Sequence, residues 1–187
     1  TTQISKTTNN IKTGNHTMSL NWSLAYTYGY SKDLSNGIRN SWESNYNLNP
    51  SITPNNSQLA FSNFDLRHRI VGTISTTQYW DNKNATSFTF FYSGQSGNPY
   101  TLVYQSAPFG NGNNASLPYI PKDANDIRLV DYTLNGVVYT AAQQSADLDA
   151  FISGNKYLNS RRGQYAERNG LRTPWNHQLD LKIMHEF

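Results

Sequence analysis

From Trp175 to Phe187 every second position is aromatic, apolar or histidine: Trp175, His177, Leu179, Leu181, Ile183, His185 and Phe187. Asn176, Gln178, Asp180, Lys182, Met184 and Glu186 lie between them. A period of two predicts a strand with one apolar face and one wet face. The same period recurs at Trp22, Leu24, Tyr26, Tyr28 and Tyr30, interleaved with Asn21, Ser23, Ala25, Thr27, Gly29 and Ser31. That second face is small and uncharged up to Lys32-Asp33, whereas the solvent face of a soluble sheet usually carries Lys and Glu. Weaker alternation over residues 67–80 puts Ile70, Gly72, Ile74 and Trp80 in one register. Phe88, Phe90 and Tyr92 share a face in the next predicted strand, which runs into Ser93-Gly-Gln-Ser-Gly-Asn-Pro-Tyr100. Residues 1–8 read as the end of a further strand, giving about five.

The connections alternate in length. Residues 9–16, with Lys12-Thr-Gly14-Asn15, and residues 81–85 read as short polar turns. Residues 34–64, rich in Asn, Ser and Pro (Asn49-Pro50, Thr53-Pro54-Asn55-Asn56), read as a long loop. Residues 105–173 hold no sustained strand pattern. Within them a short hairpin over residues 131–140 turns at Asn135-Gly136, and a helix over residues 141–152 is closed by Gly154. Short turns on one side and long loops on the other are the habit of bacterial outer-membrane barrels. A soluble sandwich has no reason to alternate so, and a loop near seventy residues is uncommon in one.

Composition agrees with a wall that has lipid on one side and a polar space on the other. Of 187 residues 14% are charged and 13% aromatic, with 13 Tyr, against about 25% charged in ordinary soluble domains. Mean hydropathy is −0.69 and no run approaches the roughly 20 apolar residues of a membrane helix. Alternating strands average out in hydropathy, so this leaves a barrel open. The net charge of +3 is spread along the chain, which gives nucleic-acid binding no support. With no cysteine, disulfides and thiolate metal sites are excluded. No signal peptide stands at the start, so the expectation is a mature chain or a piece of a longer one, and we favour the piece. The same composition also suits a lectin-like or carbohydrate-binding sandwich.

Candidate chemistry is sparse. His16, His68, His177 and His185 are far apart in sequence, and His177 and His185 share the face of Leu179 and Ile183. Arg67-His68-Arg69 beside Asp65 reads as an ion-pair cluster where a loop enters the wall, with a phosphate or lipopolysaccharide contact as the other reading. Ser93-Gly94-Gln95-Ser96-Gly97 only superficially matches a nucleophile elbow, because no strand-turn-helix follows. Asp123 and Asp126, with Asp131 nearby, are weak calcium candidates in an outer loop whose spacing misses the EF-hand pattern. No paired carboxylates, triad or phosphate loop stands out, and the chain reads as not an enzyme.

With these residues in view, the chain resembles the C-terminal part of a TonB-dependent outer-membrane receptor of the Oar-like group, which carries a carboxypeptidase-regulatory-like domain. The resemblance rests on Tyr26-Thr-Tyr-Gly-Tyr-Ser-Lys-Asp33, Phe64-Asp-Leu-Arg-His-Arg69, Tyr92-Ser-Gly-Gln-Ser-Gly-Asn-Pro-Tyr100, Tyr119-Ile-Pro121, Arg162-Gly163, Arg168-Asn169, Pro174-Trp175 and Leu179-Asp-Leu-Lys-Ile-Met-His-Glu-Phe187. It spans nearly the whole of residues 1–187 and implies an all-β, antiparallel transmembrane β-barrel segment. That segment would be about the last five strands of a barrel of about 22, with long extracellular loops; the plug domain, the TonB box and the N-terminal strands are absent. It implies a Gram-negative outer-membrane location and transport of a ligand powered through TonB. Implied partners are outer-membrane lipid, the rest of the receptor, the TonB complex, the barrel-assembly machinery and a surface lipoprotein, with no nucleic acid and no cofactor unless calcium sits in an outer loop. It also implies that Trp22, Leu24, Tyr26, Phe88 and Phe90 face lipid. Leu179, Leu181, Ile183 and Phe187 would form the assembly signal. The alternative from another class is a soluble carbohydrate-binding or adhesin-type β domain.

Overall fold

The computed structural model describes residues 1–35, 48–53, 57–81, 83–104 and 115–187. Parts of three predicted connections lie outside the described residues: residues 36–47 and 54–56, Asn82, and residues 105–114. In chain order the strands are β1 (Thr2–Thr13), β2 (His16–Tyr28), β3 (Lys32–Asp33), β4 (Ala60–Phe61), β5 (His68–Tyr79), β6 (Ala85–Gln95) and β7 (Pro99–Tyr100). They continue with β8 (Tyr119–Ile120), β9 (Tyr132–Leu134), β10 (Val137–Tyr139), β11 (Gln164–Tyr165), β12 (Leu171–Arg172) and β13 (Asn176–Glu186). Two helices, α1 (Ala141–Gly154) and α2 (Lys156–Ser160), lie between β10 and β11. Strand makes up 49% of the structure and is mostly antiparallel, as the alternation predicts, and the described residues do not close into a barrel. The chain divides into two compact units.

The first unit comprises Thr1–Ser31, Phe64–Asn98 and Arg172–Phe187. Its five long strands form one antiparallel sheet in the order β1-β2-β5-β6-β13. The predicted turn over residues 9–16 contracts to Gly14-Asn15, because the strand continues through a bulge between Thr8 and Ile11. Asn10 takes φ 59° there, a left-handed backbone that Asn tolerates better than most residues. Gly14, at φ 63°, then makes the turn itself. β2 starts at His16, earlier than the aromatic pattern suggests, and Tyr30 falls past its end. Trp175 likewise stands just ahead of β13.

The second unit, Lys32–Asn63 with Pro99–Leu171, coincides with the two predicted long loops. It has its own small core of Ile120, Ile152, Leu158, Ala166 and Leu171, which the absence of a strand pattern did not foretell. The predicted hairpin is present as β9–β10, with Asn135 and Gly136 both at positive φ (53° and 80°), the backbone a tight two-residue hairpin turn demands. The predicted helix runs to Gly154; Thr140 caps its start by accepting from the Gln143 N–H at 3.2 Å. Asn155 then caps α2 by accepting from Tyr157 N and Leu158 N (3.0 and 3.1 Å). Arg168, 2% exposed, pairs with Asp33 and joins the two stretches of this unit. Asn169 adds hydrogen bonds to Phe61 O (2.6 Å) and Asn63 Oδ1 (2.8 Å).

Candidate functional site

The register sets which side chains meet across the five-stranded sheet. Ile4, Leu24, Gly72, Tyr92 and Leu179 form one row, and Trp22, Ile74, Phe90 and Leu181 continue the next, with Lys6 at its β1 end. A third runs Leu20, Thr76, Phe88 and Ile183. Side chains alternate between faces along each strand, so these rows share a face. Trp22, Leu24, Tyr26, Phe88, Phe90, Leu179, Leu181 and Ile183 are thereby brought onto a single surface. That surface is bare: Ile74, Leu179, Leu181 and Ile183 keep 53%, 69%, 55% and 59% exposure. Around Gly72 the missing side chain leaves an apolar groove of about 330 Å³ lined by Trp22, Leu24, Ile74, Phe90, Tyr92 and Leu179.

Rings bound this apolar band at both ends. At one end Tyr26, His68, Trp175, His177 and Tyr92 form a ladder. Successive centroids lie 6.1, 6.0, 5.9 and 6.1 Å apart, with planes within 23° of parallel. The outer phenols pair with the imidazoles, Tyr26 Oη to His68 Nδ1 and Tyr92 Oη to His177 Nδ1, both at 2.8 Å. At the other end His16 meets Trp80 edge-on at 5.3 Å, and Trp80 Nε1–H donates to Thr86 Oγ1 at 2.8 Å. Thr86 in turn bonds His185 Nδ1 at 2.9 Å, and His185 lies 5.6 Å from the Phe187 ring. His177 and His185 are eight residues apart on β13, about 26 Å along a strand. The sequence placed these histidines on the apolar face but did not reveal their tyrosine and tryptophan partners, which only the register between strands supplies.

The opposite face is mostly polar, with hydroxyls and amides beside Asp180, Lys182 and the single ring of Phe91 in these rows. Ser5, Ser23, Thr73, Phe91 and Asp180 make one row, and Thr7, Asn21, Ser75, Thr89 and Lys182 the next. Ser75 bonds Thr89 and Thr77 bonds Ser87, each at 2.9 Å. Asn21, Ser23, Gln178, Asp180 and Lys182 therefore share the polar face.

One end of the sheet is fastened by a buried carboxylate. Asp65, 1% exposed, accepts from Ser31 N–H at 2.8 Å, from Arg67 at 3.2 Å and from the Arg172 guanidinium. Burial pushes its carboxyl up, but the Ser31 amide and the Arg172 and Arg67 charges outweigh burial and hold it below the usual carboxylate range. The ion-pair reading of Arg67 beside Asp65 thus describes the contact present. Arg172 was missed because it stands 107 positions away in sequence.

The three calcium candidates do not gather into one site, although Asp123 and Asp126 share a turn. Asp126 accepts from Tyr119 Oη (2.7 Å) and Lys122 N–H (2.8 Å); these donors lower its carboxyl pKa, and the carboxylate raises that of the Tyr119 phenol. Asp123 accepts from Asn125 N–H, and Asp131 from Ala141 N–H at the start of α1, at 2.8 and 2.7 Å. Among the described residues no three His, Cys, Asp or Glu gather where they could hold a metal ion. No described helix is long and apolar enough to cross a membrane, which says nothing of strands. No family model, curated protein or solved structure matches this chain.

Proposed function

We propose that the five-stranded sheet is part of the wall of a TonB-dependent outer-membrane receptor, a barrel that moves a ligand across the outer membrane with energy delivered through TonB. The supporting observation is the bare apolar band edged at both ends by rings and backed by a hydroxyl-lined face. In water such a band is costly, since each exposed apolar Å² forgoes about 25 cal/mol of burial. Lipid removes that cost, and aromatic girdles belong at its two interfaces. Strands of 11 to 13 residues are long for a globular sheet and match a tilted crossing of the hydrocarbon core.

Five strands cannot close a barrel, whose smallest bacterial form has about eight. Open edges in lipid would leave backbone groups unpaired at several kcal/mol each, so the outer edges of β1 and β13 take further strands of the receptor. The long connections then face outward. The alternative, a soluble carbohydrate-binding domain, needs a second layer over the apolar band. Fractionating cells that carry the full-length protein separates the two readings. The receptor reading expects the protein in the outer membrane after a carbonate wash, extracted only by detergent, and capturing a purified periplasmic TonB domain once extracted. Recovery in the soluble fraction overturns it.

A further inference from the structure

Both long connections are closed at their roots by the same side chain. Ser31 N–H donates to Asp65 Oδ1 at 2.8 Å, which draws together the two ends of the connection over residues 32–63. Arg172, at the far root of the second connection, pairs with Asp65 Oδ2. Its other guanidinium nitrogen donates to Asp65 O at 3.0 Å and to Gly97 O at 3.3 Å. Thr173 N–H also donates to Asn98 O at 3.0 Å. The chain passes so close at Gly97 that a Cβ there would collide with the Thr173 carbonyl. Ser96 Oγ, on a residue 4% exposed, accepts from the Arg67 and His68 amides at 3.1 Å and fixes the segment that presents Asp65.

We propose that Asp65 is a clasp shared by the two long connections: its ionised carboxylate holds both roots together, and neutralising it releases both at once. The charged groups set against it are Arg67 from its own segment and Arg172 from the segment entering β13. The ends of β2 and β6 contribute the neutral Ser31 amide, the Ser96 hydroxyl and the Gly97 carbonyl. Two connections anchored separately would each keep its own ion pair; here one proton reaches both, since Ser31 and Arg172 use the two oxygens of one carboxylate. A carboxyl held below its ordinary range gives this stabilisation in full above its unfolded pKa of about 3.9. The contribution is lost as pH falls through the lower folded value. The clasp is therefore shut at neutral pH and opens only in acid, below the ordinary carboxylate range. This inference stands on the local geometry and does not depend on the lipid reading.

Hydrogen exchange on the intact protein tests it. With Asp65→Asn, amides at the roots of both connections (residues 29–33, 64–67, 97–99 and 171–174) should exchange at least tenfold faster, while the middles of β2, β5 and β6 stay protected. With Arg172→Gln, which leaves the Ser31 bond in place, only the second connection's roots should loosen. In the wild type, both sets of roots should loosen together as pH drops through the Asp65 titration, after correction for intrinsic exchange rates. This arm remains decisive if a variant fails to fold. Loosening of one connection alone by Asp65→Asn or by acid overturns the shared clasp, as does equal loosening of both by Arg172→Gln.

Discussion

At the scale of single residues, neighbours on β13 make the sharpest contrast. Leu181 and Lys182 are adjacent, on opposite faces of the sheet and exposed in the structure. Leu181 is 55% exposed, so the protein alone gives no reason for a substitution there to be severe. Lipid does: Arg near mid-membrane on the outer face costs roughly 2–4 kcal/mol, and far less in the lumen. Leu181→Arg should lower urea stability in bilayers by that amount, with Lys182→Leu near neutral. Equal effects of the two would sink the sidedness. Two glycines give a similar pair. A methyl group at Gly97 meets the Thr173 backbone, whereas one at Gly154 meets nothing within 4 Å. Thermal melts should show Gly97→Ala losing several degrees. Gly154→Ala, at the end of α1, should be neutral or gain up to about 1 kcal/mol. A tolerated Gly97→Ala would mean the close approach at the loop roots is not maintained.

At the scale of elements, strand existence was legible and strand ends were not. Alternation at Trp22, Leu24 and Tyr26 and at Leu179, Leu181 and Ile183 marks faces directly, since the period fixes which side each residue takes. Ends depend on partners. The bulge carrying Asn10 let β1 run on through a stretch that reads as a turn, and the turn of Ser31 N–H to Asp65 places Tyr30 beyond β2. Asn135-Gly136 and the Thr140 cap carry local signals, so the hairpin and α1 were readable. The core around Ile152 and Leu158 was not, because its members come from short elements with no period. That core also decides how a loop excision must be cut. Removing residues 111–160 takes out Ile120, Ile152 and Leu158 and leaves Ala166 and Leu171 without their partners. Replacing residues 101–170 by a short Gly/Ser linker removes all but the ends of the second stretch, whose flanks already meet at Asn98 O and Thr173 N, 3.0 Å apart. Under our account the shorter cut yields a protease-sensitive remnant. The longer cut leaves a heat-modifiable barrel of the full-length receptor that has lost ligand capture. A barrel lost with the longer cut would assign residues 101–170 to the wall.

At the scale of the whole molecule, the two faces of the sheet have to be explained together. The polar face satisfies itself through hydroxyl pairs such as Ser75–Thr89, while the apolar face keeps Leu179, Ile183 and Ile74 more than half exposed between its two sets of rings. A soluble domain would cover that band with a second layer; a barrel wall puts lipid against it. Residues 1–187 hold no cysteine, so within them each introduced cysteine is the sole labelling site, any cysteine elsewhere in the full-length protein being replaced by serine beforehand. Single cysteines at 178, 179, 180, 181, 182 and 183 would carry nitroxide labels in the full-length protein reconstituted in lipid vesicles. Collision rates with oxygen, which partitions into lipid, are then compared with those of a water-soluble nickel chelate. Our account predicts a strict alternation, with 179, 181 and 183 favouring oxygen and 178, 180 and 182 favouring nickel. Nickel access at all six positions would contradict it.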